Sequence, residues 1–164
     1  VAIGKAQNSI NAGTTGTQDV FTGFLGERQG AGELALPFVR WANDANFTAA
    51  GNVGGKQRTF IAIQNLGASS ANVVAEYYDK NGVKVGEQTL SIPGFSKGNT
   101  DASLAGALGK NGMVAGEFGY YTDGSFGGSV TVKAAAANPD AKFIAIARVQ
   151  HPGAGEDYNA IPVQ

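Results

Sequence analysis

Few residues of this chain are able to do nucleophilic or acid–base chemistry. His151 is the sole histidine and there is no cysteine, so a Ser-His-Asp triad would depend on one imidazole that directly precedes Pro152. Zinc sites need several imidazoles or thiolates, and the same two counts argue against one. From these side chains we expect no catalytic site, no metal site and no bound cofactor.

Two glutamates beside aromatic residues are the best candidates for acid–base hydrolysis of a sugar. Glu76 precedes Tyr77 and Tyr78, and Glu117 precedes Phe118. Glycosidases hold their two carboxyl groups roughly 5–10 Å apart. The alternative is that each glutamate points to solvent opposite a buried ring. We favour this alternative because 13 acidic residues allow many accidental pairs.

Three short motifs match known sequence patterns with little specificity. Gly54-Gly55-Lys56 resembles the end of a phosphate-binding loop but lacks its first glycine and its final Ser or Thr. Asp79-Lys80-Asn81-Gly82 offers too few oxygen ligands for calcium and is better explained as a turn. Asn46-Phe47-Thr48 fits the glycosylation pattern, which makes Asn46 a candidate modification site.

Composition and charge limit the partners and the location. The chain has 164 residues, enough for one domain with a core, and 15% of them are charged. With 12 basic and 13 acidic residues and no basic stripe, nucleic acid is not expected as a partner. The apolar stretches are much shorter than the roughly 20 residues that span a membrane.

The first residue is Val1, which we interpret as a processed mature form, although a trimmed chain would look the same. Low charge and abundant glycine are typical of an exported structural protein.

Short β-prone runs separated by turn signals begin at residue 34 and predict an all-β fold. Apolar residues alternate in them with a period of two. About seven such runs indicate an antiparallel β-sandwich, Ig-like or jelly-roll-like. The predicted strands are Leu34–Trp41, Thr59–Asn65, Asn72–Asp79, Val83–Ile92, Met113–Tyr121, Gly128–Ala135 and Phe143–Gln150.

Three local features of the sequence predict further details of the fold. Asn81-Gly82 supplies the positive φ angles of a tight hairpin turn. Phe60–Ile63 and Phe143–Ala147 are apolar on both faces, which predicts strands covered on both sides or strands that meet another molecule. A short helical turn is expected between Asp101 and Leu108.

Residues 1–33 differ from the β-sandwich domain predicted at residues 34–164. They contain seven glycines and no proline, so we expect an extended segment without a core of its own. One alternative is a loose leader over the domain surface. The other is that Val1–Ile3 or Val20–Leu25 adds as a strand to its own sheet or to the sheet of a neighbouring copy. The donor candidates are Val1, Ile3, Val20, Phe21, Thr22, Phe24 and Leu25.

Aromatic side chains are the remaining candidates for a binding site. Alternation places Phe118 and one of the neighbours Tyr77 and Tyr78 in the core. Tyr121 and Phe126 instead flank a turn. We expect these two to be exposed, where they would face a glycan or another surface protein.

Four segments in a fixed order carry a family resemblance. They are Leu36-Pro37-Phe38-Val39, Thr59 to Gly67, Ala75 to Gly82, and Leu90-Ser91-Ile92-Pro93. The order is similar to the β-sandwich modules repeated in secreted surface proteins of filamentous Chloroflexota-type bacteria, over roughly residues 34 to 150. The resemblance implies a structural role outside the cell or on its surface and supplies no catalytic residue. A lone module with a detachable N-terminal strand also resembles, by analogy, pilin-like subunits that polymerise by strand donation.

Three functional hypotheses follow, in order of preference. The first is an extracellular or cell-surface structural subunit that assembles with copies of itself into a filament or surface layer through N-terminal strand complementation. The second is a monomeric adhesion or glycan-binding module. The third, a hydrolase built on Glu76 and Glu117, is least favoured, and the sequence predicts a protein that is not an enzyme.

Overall fold

Eleven β-strands make up the regular structure of the described part of the chain. The computed structural model describes residues 2–11, 17–26, 29–42, 47, 57–103, 126–151 and 154–163. The strands are β1 (Ala2–Asn11), β2 (Thr17–Gly26), β3 (Glu33–Trp41), β4 (Arg58–Asn65), β5 (Ala71–Asp79), β6 (Lys84–Ile92), β7 (Lys97–Asp101), β8 (Phe126–Ala134), β9 (Phe143–His151), β10 (Ala154–Asn159) and β11 (Ile161–Pro162).

Hydrogen bonding sorts these strands into two antiparallel sheets. β1 and β2 form a two-stranded sheet of their own. The other nine form one sheet in the order β10-β9-β4-β3-β8-β5-β6, with β7 on β4 and β11 on β3. The described pairs are antiparallel throughout, so the prediction of an all-β antiparallel fold is confirmed.

Six of the seven predicted strands coincide with β3, β4, β5, β6, β8 and β9 to within two residues. The seventh, Met113–Tyr121, lies outside the described residues. So does most of the turn expected from Asp101 to Leu108, where Asp101 itself ends β7. The short strands β7 and β10 were missed because they are rich in Gly, Asn and Asp, which are rare in strands.

The nine-stranded sheet consists of two strand groups that are joined by a very short ladder. The first group is β10, β9, β4 and β7, and the second is β11, β3, β8, β5 and β6. Among the described residues, the ladder between them is the single pair of Trp41 and Arg58. Arg40 N donates to Thr59 Oγ1 at 2.9 Å and Arg58 Nε donates to Ala42 O at 2.9 Å, which reinforces this joint. Because these strands form one hydrogen-bonded sheet, the sandwich of two separate sheets stays a prediction.

The hydrophobic core draws on both strand groups. Alternate residues of β3, β4, β5 and β9 are buried, as their period of two predicts. Each large apolar side chain buried in this way contributes about 1.5–3 kcal/mol to folding. The largest fully buried side chains are Tyr77, Phe143, Leu36, Ile61, Ile63, Ile92, Val39, Val73, Val130, Val132 and Val149.

A chain of polar groups, buried at Tyr77 and Thr100, also links the two strand groups. Tyr77 OH lies 2.7 Å from Thr100 Oγ1, and Thr100 Oγ1 donates to Gln88 Oε1 at 2.6 Å. Since a threonine hydroxyl has one hydrogen, Tyr77 is the donor to Thr100. The chain runs from β5 through β7 to β6, and it confirms that one of the two neighbouring tyrosines belongs to the core.

The turn after β4 is organised by the amide of Asn65. Asn65 Nδ2 donates to the carbonyl oxygens of Ser69 at 2.8 Å, Ile92 at 3.0 Å and Pro93 at 3.3 Å. Its Oδ1 accepts from Gly67 N at 2.9 Å. One buried side chain therefore ties the β4–β5 turn to the end of β6.

The β5–β6 connection is the hairpin that the sequence predicted. Asp79 N donates to Val83 O at 2.9 Å, and Asp79 Oδ1 accepts from Asn81 N at 2.8 Å and Val83 N at 2.9 Å. Gly82 has a φ of 77°, but Asn81 does not share it, so that part of the prediction is wrong. The physical reason is loop length. The Asp79–Val83 bond closes a loop of three residues, 80–82, and such a loop needs positive φ only at its last residue.

Candidate assembly surface

The two N-terminal β-prone islands lie in the two strands of one hairpin. β1 and β2 pair over their whole length, from Ala2 opposite Gly26 to Asn11 opposite Thr17. Sequence reasoning missed this pairing, because each island was considered as a single strand. Val1 lies outside the described residues, and the other donor candidates fall in the ladder: Ile3, Val20, Phe21, Thr22, Phe24 and Leu25. Their donation to another copy stays a prediction.

The hairpin lies beside the edge of the main sheet. β2 contacts β10, which pairs with β9 from Ala154 opposite His151 to Asn159 opposite Ile146. No ladder joins β2 to β10, so on its other side β10 pairs with no strand of the described chain. A sheet edge of this kind is a template for strand addition.

Side-chain contacts hold the β10 edge in place. Arg148 of β9 makes two bonds to Asp157 of β10, from Nε to Oδ1 at 2.8 Å and from Nη2 to Oδ2 at 2.8 Å. The bond to Asp157 raises the pKa of Arg148. Tyr158 OH donates to Phe38 O in β3, and burial raises the pKa of Tyr158, so this hydroxyl keeps its proton. A fixed edge lowers the entropic cost of adding a strand.

One residue pair anchors the N-terminal segment to the main sheet. Ala31 N donates to Phe143 O at 3.0 Å, and Phe143 N donates to Ala31 O at 3.0 Å. A Cβ atom built on Gly30 would lie 2.7 Å from Phe143 O, so the chain approaches β9 too closely for a larger residue. The hairpin, which ends at Gly26, is therefore tethered to the sheet through a short connection.

β4 and β9 are apolar on both faces, as the sequence indicated. The inner face belongs to the core, whereas on the outer face Phe60 is 37% exposed and Ala62, Ile144 and Ile146 are half-buried. We call these four residues the apolar face. A depression of about 390 Å³ lies over Ala62, bordered by Phe60, Ile146 and the Arg148–Asp157 pair. The outer face of these strands is thus only partly covered, and contact with another molecule stays a prediction.

An arginine stacks between aromatic rings at the border of the apolar face. Arg58 Cζ lies 4.6 Å from the ring centroid of Trp41 and 4.3 Å from that of Phe47. Trp41 and Phe60 are in edge-to-face contact with centroids 5.6 Å apart. Of the aromatic residues predicted to be exposed, Tyr121 lies outside the described residues and Phe126 begins β8 opposite Trp41.

Two lysines and a tyrosine bind the carboxylate of Glu76 on the outer surface of β5. Its Oε2 accepts from Tyr78 OH at 2.7 Å and lies 2.7 Å from Lys133 Nζ, and its Oε1 accepts from Lys84 Nζ at 3.3 Å. Burial raises the pKa of Glu76, but the bonds from Lys133, Tyr78 and Lys84 outweigh it and lower this pKa to about 2. Glu76 is therefore a permanent carboxylate at neutral pH, with no proton to give as a general acid. It is 7% exposed, so the expectation that it points freely to solvent is wrong.

No family model, curated protein or solved structure matches this chain, so the geometry of the site is the basis for its function. Within the described ranges, no three side chains of metal-ligating type lie close enough together to hold an ion. In the same ranges, no helix has the length and apolar character needed to cross a bilayer. Asn46, Glu117 and Gly54-Gly55-Lys56 lie outside the described residues, and His151 is described only as the last residue of β9.

Proposed function

We propose that this chain is an extracellular or cell-surface structural subunit that polymerises with copies of itself into a filament or surface layer. The donated unit is the whole hairpin of β1 and β2, which adds beside β10 of the next copy. The observation that carries this proposal is that the hairpin forms a separate sheet next to a sheet edge, with no strand ladder between the two.

Energetics support donation of the hairpin. An isolated two-stranded hairpin is marginally stable in water, so ten-residue strands need a further sheet or surface to hold them. The same contact with β10 can form within one chain or between two chains, and exchange of identical elements is a low-cost route to assembly. A head-to-tail contact that does not close a ring produces an open polymer.

The tether limits how far the donated hairpin can reach. From Gly26 to Ala31 the chain spans at most about 18 Å when fully extended. The acceptor edge must then lie close to the anchor at Phe143. Neighbouring subunits would therefore be in direct contact along the polymer, without a flexible spacer.

Hairpin variants of the chain of residues 1–164 test the proposal. Val20→Asp puts a charge into β2, and we expect it to abolish the polymers seen by negative-stain electron microscopy while circular dichroism still shows a folded sheet. Val163→Asp is the matched control, because Val163 is 46% exposed and lies outside the hairpin, and it should polymerise normally. Polymers that are unchanged in Val20→Asp would refute strand donation.

A disulfide lock tests whether the hairpin moves as one unit. Ala6 and Thr22 are directly opposite in the ladder, and the chain has no cysteine of its own. In Ala6→Cys/Thr22→Cys we expect equal polymerisation in the oxidised and reduced forms. Polymerisation that occurs only after reduction would mean that the strands separate and one of them is donated alone.

One observation favours the second candidate function, a monomeric adhesion or glycan-binding module. The depression over Ala62 combines the exposed ring of Phe60 with polar groups of Asn99 and Arg148, a combination of ring and hydrogen-bonding groups that suits a sugar. Glycan-array binding that disappears in Phe60→Ala, in a chain that sediments as a monomer, would support this function over polymerisation.

A further inference from the structure

We infer that Asn81, in the turn between β5 and β6, is a site of spontaneous deamidation whose rate is set by the hydrogen bonds of that turn. The product has an aspartate or an isoaspartate in place of the asparagine. This inference is independent of the proposed function, because β6 lies at the opposite end of the strand order from β10.

Asn81 is followed by the residue that obstructs this reaction least. Among the asparagines of the described chain, it alone precedes a glycine. Both Asn81 and Gly82 are exposed, and a Cβ atom built on Gly82 would meet no atom within 4 Å. Water and the reacting groups therefore have room at this position. Asparagine is a thermolabile residue, and an exposed one before glycine is the kind that reacts first.

The reaction needs only the chain and water. The backbone nitrogen of Gly82 forms a bond to Cγ of Asn81, and the side-chain nitrogen of Asn81 leaves as ammonia with the proton that Gly82 N loses. The cyclic imide formed in this way then takes up one water molecule. Opening of the ring at Cγ gives aspartate. Opening at the backbone carbonyl of Asn81 gives isoaspartate, in which the main chain runs through the side-chain methylene.

The turn restrains the nitrogen that must attack. Gly82 N donates to Asp79 O at 3.0 Å. Asp79 Oδ1 holds the backbone on either side, since it accepts from Asn81 N at 2.8 Å and from Val83 N at 2.9 Å. Gly82 N has to give up its hydrogen bond before it attacks, and a step that must break one such bond is slowed by about tenfold. We therefore expect Asn81 to react more slowly in the folded chain than in the unfolded chain.

Conversion to isoaspartate would change the length of the loop. Residues 80–82 are closed by the bond from Asp79 N to Val83 O at 2.9 Å, and isoaspartate adds one main-chain atom inside this closure. The carboxylate that forms also lies near the carboxylate of Asp79, and like charges repel. In the described chain β6 has a ladder with β5 only, and it is the last strand of the order. The modification therefore loosens the pairing at this end of the sheet.

Peptide mapping by mass spectrometry tests the inference on the chain of residues 1–164 at mildly alkaline pH. We expect Asn81 to yield aspartate and isoaspartate peptides about tenfold more slowly in buffer than in guanidinium chloride. Asn111 has the same neighbours, in Lys110-Asn111-Gly112, and should react at the same rate as Asn81 in the denaturant. Asn138 is the negative control, because the following Pro139 has no N–H with which to form the ring.

Two variants separate the role of the turn from the reaction itself. Asp79→Ala removes the carboxylate that holds the backbone around Asn81, so the rate at Asn81 in buffer should rise toward that in denaturant, with circular dichroism as the check on folding. If this variant does not fold, the ratio of the two rates in the unmodified chain decides. Asn81→Asp adds the charge without the extra main-chain atom, so it should unfold at a higher denaturant concentration than the purified isoaspartate form.

Three outcomes would overturn the inference. One is a folded chain in which Asn81 is still unmodified after about a hundredfold longer than its conversion takes in denaturant. Another is an equal rate at Asn81 in buffer and in denaturant, because the turn would then not restrain the reaction. The third is a folded Asp79→Ala variant that reacts no faster than the unmodified chain.

Discussion

Replacement of Glu76 by glutamine tests the energetic role of the charge cluster on β5. Glu76→Gln keeps the shape of the side chain and removes its negative charge. The variant would leave Lys133 and Lys84 without the carboxylate that lies 2.7 Å and 3.3 Å from their ammonium groups. We expect the free energy of unfolding to fall at neutral pH, because two cations would then lie beside a neutral, buried amide.

The size of this effect follows from the pKa of Glu76 and from the exposure of its partners. The pKa falls from its ordinary value of 4.5 to about 2. Each unit corresponds to about 1.36 kcal/mol, which gives an upper limit of roughly 3 kcal/mol. The two lysine side chains are 41% and 45% exposed, so solvent screening reduces the interaction. We expect a loss of about 2 kcal/mol for Glu76→Gln at pH 7.

The dependence on pH has a definite sign. Because the pKa of Glu76 is lower in the folded than in the unfolded chain, its stabilisation is complete above the unfolded value and is lost as the pH falls toward about 2. Urea unfolding of the unmodified chain and of Glu76→Gln at several pH values should show a gap between their free energies of unfolding. This gap should close as the pH falls over this range. Glu87→Gln is the control, since Glu87 bonds the same Lys84 but its side chain is 55% exposed, and it should cost less than about 0.5 kcal/mol. A gap for Glu76→Gln that is independent of pH, or no larger than that of Glu87→Gln, would refute the reasoning.

Three further changes test the fold that presents the assembly surface. Tyr77→Phe should lower the free energy of unfolding by about 1–2 kcal/mol, measured by urea unfolding. A double-mutant cycle with Thr100→Val should show coupling between the two side chains. Additive losses in that cycle would mean that their buried bond contributes nothing. Gly30→Ala should lower the free energy of unfolding by about 1–3 kcal/mol, because its Cβ would lie within 2.7 Å of a backbone oxygen. Gly32→Ala, whose added Cβ atom would have its nearest neighbour 3.6 Å away, should have no effect in the same urea unfolding measurements, and equal effects would contradict the anchor described above. Asn65→Asp replaces a donor to three carbonyl oxygens by an acceptor and should cost about 3 kcal/mol; a loss below about 1 kcal/mol would show that these bonds are dispensable.

The parts of this fold that are visible in the sequence are those set by local chemistry. Alternating apolar residues identified six strands, because a strand half-buried in a sheet shows its period directly. Asn81-Gly82 identified the hairpin, since turn residues act through preferences within a few positions, although only Gly82 has the positive φ. The apolar character of β4 and β9 on both faces was also visible in the sequence, because it is read from consecutive residues.

The parts that the sequence did not reveal depend on residues far apart in the chain. Asn65 is the last residue of a predicted strand, but one of its partners, Ile92, is 27 positions away. Glu76 is buried because Lys133 of β8 reaches it from the neighbouring strand, and no local pattern records that pairing. The strand β10 forms because β9 offers it an edge and because Tyr158 reaches Phe38, which overrides its weak intrinsic preference.

The pair of hydrogen bonds at Ala31 also determines how a polymer of this chain would respond to stretching. Tension on a donated hairpin enters each subunit at Ala31 and passes through its two bonds to Phe143 at the start of β9. β9 has β10 on one side and β4 on the other, so a pull directed along it is shared by the bonds of two ladders at once. Such a fibre would yield first where the donated hairpin meets β10, because no ladder joins β2 to β10, and not by opening of the sheet.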